Sequence, residues 1–149
     1  MTREVVVVLP DIRSTFNTGS FFRTADAAGV SKIILTGITA TPPHPHLVKV
    51  SLGAEQVVPW EHIEDTAVAI QQLKAQGFQI VAVELTSDSQ DFRQVQYTDK
   101  VAVIFGNENS GVSPGIQELA DLTVSIPMRG HKESLNVSVA GGIVVYHLL

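Results

Sequence analysis

The chain has no cysteine. That excludes disulfide cross-links, thiolate metal sites and a cysteine nucleophile. It has little charge: 17% of its 149 residues are Asp, Glu, Lys or Arg, and the balance is acidic, with a net charge of −5. Nucleic-acid binders usually carry a basic footprint, because neutralising phosphates drives much of their affinity. Bulk charge therefore argues against nucleic acid as a partner. A local basic patch stays open, since Arg13, Arg23, Arg129 and Lys132 all fall beside polar clusters. The opening apolar run, "VVVVL", is too short for a signal-peptide core or a membrane span, so a soluble, cytoplasmic protein is expected.

Familiar site motifs are missing as well. The turn after the first apolar run, "PDIRSTFNTGS", has neither the G-x-G-x-x-G nor the Walker glycine-lysine pattern. "GNENSGVSPG" is glycine-rich, but Glu108 inside it would repel a pyrophosphate, so a neutral or cationic ligand suits it better. No H-E-x-x-H or G-x-S-x-G occurs. His44 and His46 in "PPHPH" have no neighbouring acid to complete a metal site and read as a solvated loop. His131 and Ser134 lack a nameable orienting acid for a hydrolase triad.

What is present is a 44% hydrophobic chain, enough for a core, in which apolar runs alternate with helical patterns. "EVVVVLP", "KIILTG", "FQIVAVEL", "KVAVIFG" and "LTVSIPM" read as buried strands. "VKVSLGAEQVVPW" admits a short helix and then a strand over 56–58. Helices are expected over "TGSFFRTADAAG", with Asn17 as its cap and Gly29 as its stop, and over "EDTAVAIQQLKAQG", with Ala67, Ile70, Leu73 and Lys74 on one side. "SPGIQELAD" reads as a short helix. "SLNVSVAGGIVVYHLL" reads as the last one, capped by Ser134, with Leu135, Val139, Ile143 and Tyr146 along one face. "ITATPPHPH" and "TSDSQDFRQVQYTD" read as loops. Strands that are apolar throughout, alternating with helices, imply an α/β fold whose parallel sheet is covered on both faces. Ligands bind such sheets at the carboxyl ends of the strands.

Three polar clusters fall at such ends. In "FNTGSFFRTADAAG", Gly19 permits a close approach of another segment, and Arg23 is either a solvated group or an anion anchor. "IFGNENSGVS" places Asn107, Glu108, Asn109 and Ser110 directly after a strand, as an Asx-type turn or a site. "SLNVSVAGG" puts Asn136, Ser138 and two adjacent glycines into a helical run that disfavours them.

Together the clusters resemble the three motifs of the SpoU (TrmH-like) branch of the SPOUT RNA methyltransferases. The matches are Asn-x-Gly-x-x-x-Arg-x-Ala at Asn17–Ala25, Gly-x-Glu-x-x-Gly at Gly106–Gly111, and Ile-Pro-Met, a short loop, then Ser-Leu-Asn-Val-Ser-Val-Ala within Ile126–Ala140. They stand in the family's order and span nearly the whole chain, with "VSLGAE" at Val50–Glu55 as a further, weaker match.

The resemblance implies a SPOUT-type α/β knot, in which the C-terminal part is threaded into a deep trefoil knot. It implies one domain over residues 1–149 with no added RNA-binding domain, and a homodimer. It implies S-adenosylmethionine as cofactor, held by Leu85, Gly106, Ile126, Met128, Ser134 and Leu135, with no metal. The activity implied is methyl transfer to a ribose 2′-hydroxyl of RNA, tRNA rather than rRNA because no separate recognition domain is expected. Arg23, Asn17, Glu108 and Asn136 match the family's catalytic and polar motif positions. The rival expectations are an RNA-binding knot protein without catalysis and a flavodoxin-like nucleotide-binding domain.

Overall fold

The computed structural model describes residues 3–149. Its centre is β1 (Glu4–Pro10), where every residue after Glu4 is buried. Successive side chains of a strand point to opposite faces. Val5, Val7 and Leu9 accordingly join one cluster with Phe21, Phe22, Val144, Val145 and Leu148. Val6 and Val8 join a second cluster with Ala69, Ile70, Leu73 and Ile104. An unbroken apolar run is what two covered faces require. Each such side chain contributes about 1.5–3 kcal/mol by leaving water.

The sheet has seven strands in the order β3-β2-β1-β6-β4-β7-β5, paired in parallel throughout. The other strands are β2 (Lys32–Thr36), β3 (Trp60–Ile63), β4 (Gln79–Val83), β5 (Gln90–Asp91), β6 (Lys100–Ile104) and β7 (Leu122–Ser125). On one face lie α1 (Thr15–Ala28), α2 (Pro45–Ser51) and α5 (Val137–Leu148); on the other lie α3 (Thr66–Ala75) and α4 (Pro114–Leu119).

Two glycines set how closely α1 meets its neighbours. A Cβ on Gly19 would lie 2.6 Å from the Leu47 carbonyl oxygen, so α2 crosses α1 at backbone distance. A Cβ on Gly141 would lie 2.2 Å from the Phe21 ring, so α5 can approach α1 only with glycine there. Phe21 cannot swing aside, since it is fully buried with its ring centroid 5.1 Å from that of Phe105. Gly142 is different, because a Cβ there meets nothing within 4 Å. Of the two adjacent glycines, packing explains one.

Several expectations are corrected. Residues 54–56 form a single 3-10 turn, and the strand expected over 56–58 is instead β3 at Trp60–Ile63. It is an edge strand, half-exposed and carrying Glu61 and His62, which hides it from a search for apolar runs. The stretch read as loop after β4 contains the two-residue edge strand β5. The proline-rich loop ends earlier than expected: α2 starts at Pro45, and His44 caps it by accepting from the His46 N–H. In α3 the buried residues are Ala69, Ile70 and Leu73, while Lys74 is exposed. The cap of α1 is Ser14, not Asn17, and the cap of α5 is Asn136, not Ser134. In both cases the helix boundary shifted and the polar residue nearest the true boundary took the role.

The two glycines of α5 should respond oppositely to alanine. Gly141→Ala should destabilise by about 1–3 kcal/mol through overpacking against Phe21, and Gly142→Ala should stabilise by up to about 1 kcal/mol through helix propensity. Urea unfolding of the two variants measures both.

Candidate active site at the carboxyl ends of three strands

Strands β6, β4 and β7 are neighbours, and the segments leaving their carboxyl ends enclose a cavity of about 700 Å³. Residues 83–85 and 105–112 with Ser125, Ile126 and Met128 form its walls, and the residues leading into α5 close it. The volume lies in the range of small-molecule sites. Its lining includes Glu84, Glu108 and Glu133 but no lysine or arginine. Such a site favours a cation over a phosphate.

The wall after β6 is a tight loop that turns on itself. Asn107 and Gly111 exchange both backbone hydrogen bonds, at 3.2 and 2.9 Å. The Asn107 side-chain oxygen accepts from the N–H groups of Asn109 and Ser110, at 2.8 and 3.1 Å. Asn107 thus makes the Asx-type turn. A Cβ on Gly106 would lie 2.4 Å from the Gly111 carbonyl carbon, so only glycine lets the loop fold back this closely.

With Asn107 turning the loop, Glu108 is free to reach the start of α1. Its Oε1 accepts from the Arg13 N–H at 3.0 Å, and its Oε2 from the Ser14 N–H at 2.9 Å and from Asn17 Nδ2 at 3.1 Å. Helix starts leave unpaired N–H groups with positive potential, so an anion is favoured there. Partial burial alone would raise the Glu108 pKa, but the amides of Arg13 and Ser14 and the Asn17 side chain outweigh it and hold the carboxyl below its ordinary value.

The chain of contacts continues. Asn17 is buried, and its side-chain oxygen accepts from Asn136 Nδ2 at 3.3 Å. Asn136 Oδ1 in turn caps α5, accepting from the N–H groups of Ser138 and Val139 at 2.9 and 3.2 Å and from the Ser138 hydroxyl at 2.6 Å. Three clusters far apart in sequence are thereby joined by side-chain hydrogen bonds. Ser138, unfavourable inside a helix, sits instead in its first turn, where a cap uses it.

All six expected cofactor residues, Leu85, Gly106, Ile126, Met128, Ser134 and Leu135, line the cavity, as do Glu108 and Asn136. Asn17 stands behind the wall, bonded to both Glu108 and Asn136. Arg23 does not line the cavity; it is exposed on α1 and makes no ion pair among the described residues. Arg13, Arg129, Lys132 and His131 are also exposed. The residue that sequence reasoning missed is Glu84, a cavity carboxylate at the end of β4. Its signal was the acid in "VAVEL", a charge closing a buried strand. No group of three metal-ligating side chains occurs among the described residues, and no helix there is long and apolar enough to cross a membrane.

The lowered Glu108 pKa carries a sign. The ionised carboxylate contributes stability above the ordinary glutamate range, and that contribution disappears as pH falls through its lower folded value. Glu108→Gln should therefore lower the melting temperature by about 2–4 °C at pH 7, with the gap closing towards pH 3. Thermal unfolding of both proteins across that range checks it.

Comparison with known proteins gives a consistent answer. The family model described as "SpoU rRNA Methylase family" matches residues 4–146. A tRNA (guanosine(18)-2′-O)-methyltransferase of Aquifex aeolicus is 36% identical over 97% of this chain and 68% of its own length. A crystal structure of an AdoMet-bound rRNA methyltransferase from Sinorhizobium meliloti superposes with a TM-score of 0.92 at 33% identity, over 99% of this chain and 56% of that one. The SpoU methyltransferase AviRb from Streptomyces viridochromogenes, solved with AdoMet, gives a TM-score of 0.89 at 27% identity, over 99% of this chain and 57% of that one. The chain thus spans little more than half the length of the two solved proteins. With two of its three motifs lining one cavity, the first bonded to both through Asn17, and the family model covering nearly its whole length, this chain belongs to the SpoU rRNA methylase family.

Proposed function

We propose that this protein is an S-adenosylmethionine-dependent RNA 2′-O-ribose methyltransferase. The observation that carries the reading is the cavity: three carboxylates, no basic side chain, and all six residues expected at the cofactor, at the ends of three adjacent strands. This donor set fits the cofactor. The sulfonium and ammonium are cations for the carboxylates. S-adenosylmethionine supplies an electrophilic methyl group. In the reaction, the ribose 2′-oxygen bonds to the methyl carbon, the carbon–sulfur bond breaks, and the hydroxyl proton leaves to solvent. A hydroxyl is a weak nucleophile at neutral pH, so the protein's main contribution is to hold it in line with the methyl carbon, an effect worth up to about 7–11 kcal/mol.

Glu108, Asn17 and Asn136 act here by holding the walls together, since their polar atoms are spent on one another and on backbone amides. Arg23 is the residue that meets RNA. A guanidinium stays protonated, so it binds the target phosphate or the developing alkoxide rather than serving as a free base. The cavity has no arginine of its own, and α5 exposes Val139, Ile143 and Tyr146 on the face turned away from the core, while Leu135 lies before the helix. We read that stripe as the contact of a homodimer, which brings two sets of exposed arginines onto one RNA-binding surface. The re-entry through Ile126–Asn136 is then the bend of a trefoil knot. tRNA is favoured over rRNA as substrate, the tRNA methyltransferase of Aquifex aeolicus being a relative of which this chain spans 68%.

Titration calorimetry should show S-adenosylhomocysteine binding at micromolar order. NAD or FMN binding in its place would sink the proposal and restore the flavodoxin-like alternative. With radioactive cofactor and undermodified tRNA, Arg23→Ala should cost at least about a hundredfold in rate while its S-adenosylhomocysteine affinity stays near that of the parent. Ile143→Glu should convert a dimer into a monomer in sedimentation.

A further inference from the structure

Among the cavity carboxylates, Glu84 has the geometry that its neighbours do not explain. Its backbone N–H bonds to the Val124 carbonyl of β7 at 2.9 Å. Its side-chain Oε2 accepts from the Val112 N–H at 2.7 Å, across to the end of the loop that follows β6. Its Oε1 accepts from the N–H of Leu85, the next residue along the cavity wall, at 3.2 Å. One residue therefore ties the carboxyl ends of β4, β7 and β6 to each other, and those ends are the three walls of the cavity. Gly111 belongs to the same arrangement. A Cβ there would lie 1.9 Å from Glu84 Oε2, and its φ of +67° is one that favours glycine. Gly111 leaves the space that the carboxylate occupies.

We propose that Glu84 is a positioning residue of the cofactor site, which holds the 106–112 loop at the height set by β4 and β7 and so fixes the opening that the cofactor enters. The role is a counterpart to that of Glu108. Each carboxylate satisfies two backbone N–H groups, Glu108 at the start of α1 and Glu84 at the loop's return. The loop is clamped from both sides by charge-assisted bonds, which are stronger than neutral ones. Without Glu84 the Val112 N–H loses its partner and the loop's return is free to shift away from β4. The cofactor then meets a wall that must be ordered on binding, which weakens affinity without touching the reacting atoms.

The inference rests on the cofactor reading above, and its test separates the two. Amide hydrogen exchange of the free protein reports on the clamp alone. In Glu84→Ala the Val112 amide should exchange roughly tenfold faster or more, while Val7 and Val103 at the sheet centre keep their rates. Calorimetry should show S-adenosylhomocysteine binding weakened about tenfold, and assays should show the KM for S-adenosylmethionine raised with kcat at saturation little changed. Unchanged Val112 exchange, unchanged affinity, or a fall in kcat at constant KM overturns the proposal. If Glu84→Ala does not fold, Glu84→Gln decides: its side chain offers one acceptor oxygen, so the Leu85 or the Val112 amide must exchange faster. Both amides at parental rates would refute the clamp. If the parent itself binds no S-adenosylhomocysteine, the cofactor reading fails while the exchange result still stands on its own.

Discussion

The site depends on a carboxylate laid over the start of a helix. Glu108 leaves the loop after β6 and accepts from the amides of Arg13 and Ser14, which lead into α1, and Asn17 carries the connection on to Asn136 at the start of α5. Each step answers a local need. The helix starts have unpaired N–H groups, Glu108 needs donors to stay ionised against partial burial, and a buried asparagine needs partners on both ends of its amide. The needs are met by one another, so the polar residues of three clusters form one network.

Close backbone approach is the second constraint. Gly19 and Gly141 let α2 and α5 pack onto α1, and Gly106 lets the loop after β6 fold onto itself. These contacts fix where the starts of α1 and α5 stand. The network spans distances of about 3 Å, so a displaced helix would break it. Packing around α1 thus sets the positions on which the polar network depends.

Polar residues that look catalytic by pattern divide into two groups once placed. Asn17, Glu108 and Asn136 are occupied with one another, whereas Arg23 keeps its guanidinium free in solvent. The cavity lining carries Glu84, Glu108 and Glu133 and no lysine or arginine, while Arg13, Arg23, Arg129 and Lys132 are exposed. A net charge of −5 therefore says little about any one surface. Under the proposed function, this arrangement suits a cationic cofactor in the cavity and a polyanion on the outer surface.

Much was legible from residues alone. Runs such as Val5–Leu9 and Val101–Ile104 can be buried on both sides only in a covered parallel sheet, and position in the chain placed Glu108 directly after a strand end. The edge strands β3 and β5 were not legible, because an edge strand is half in water and has no apolar signature. Nor was Glu84, whose role depends on the Val112 amide 28 residues away. Ser14 and Asn136 as caps, with the Asn17 side chain released to bridge Glu108 and Asn136, were decided by where the helices actually begin. The sequence by itself determined the layers, the strand ends and the residue types gathered there, because periodicity and burial are local properties of a chain. Only the tertiary structure decided which of those residues touch, because a hydrogen bond between residues 91 or 119 positions apart has no local signature.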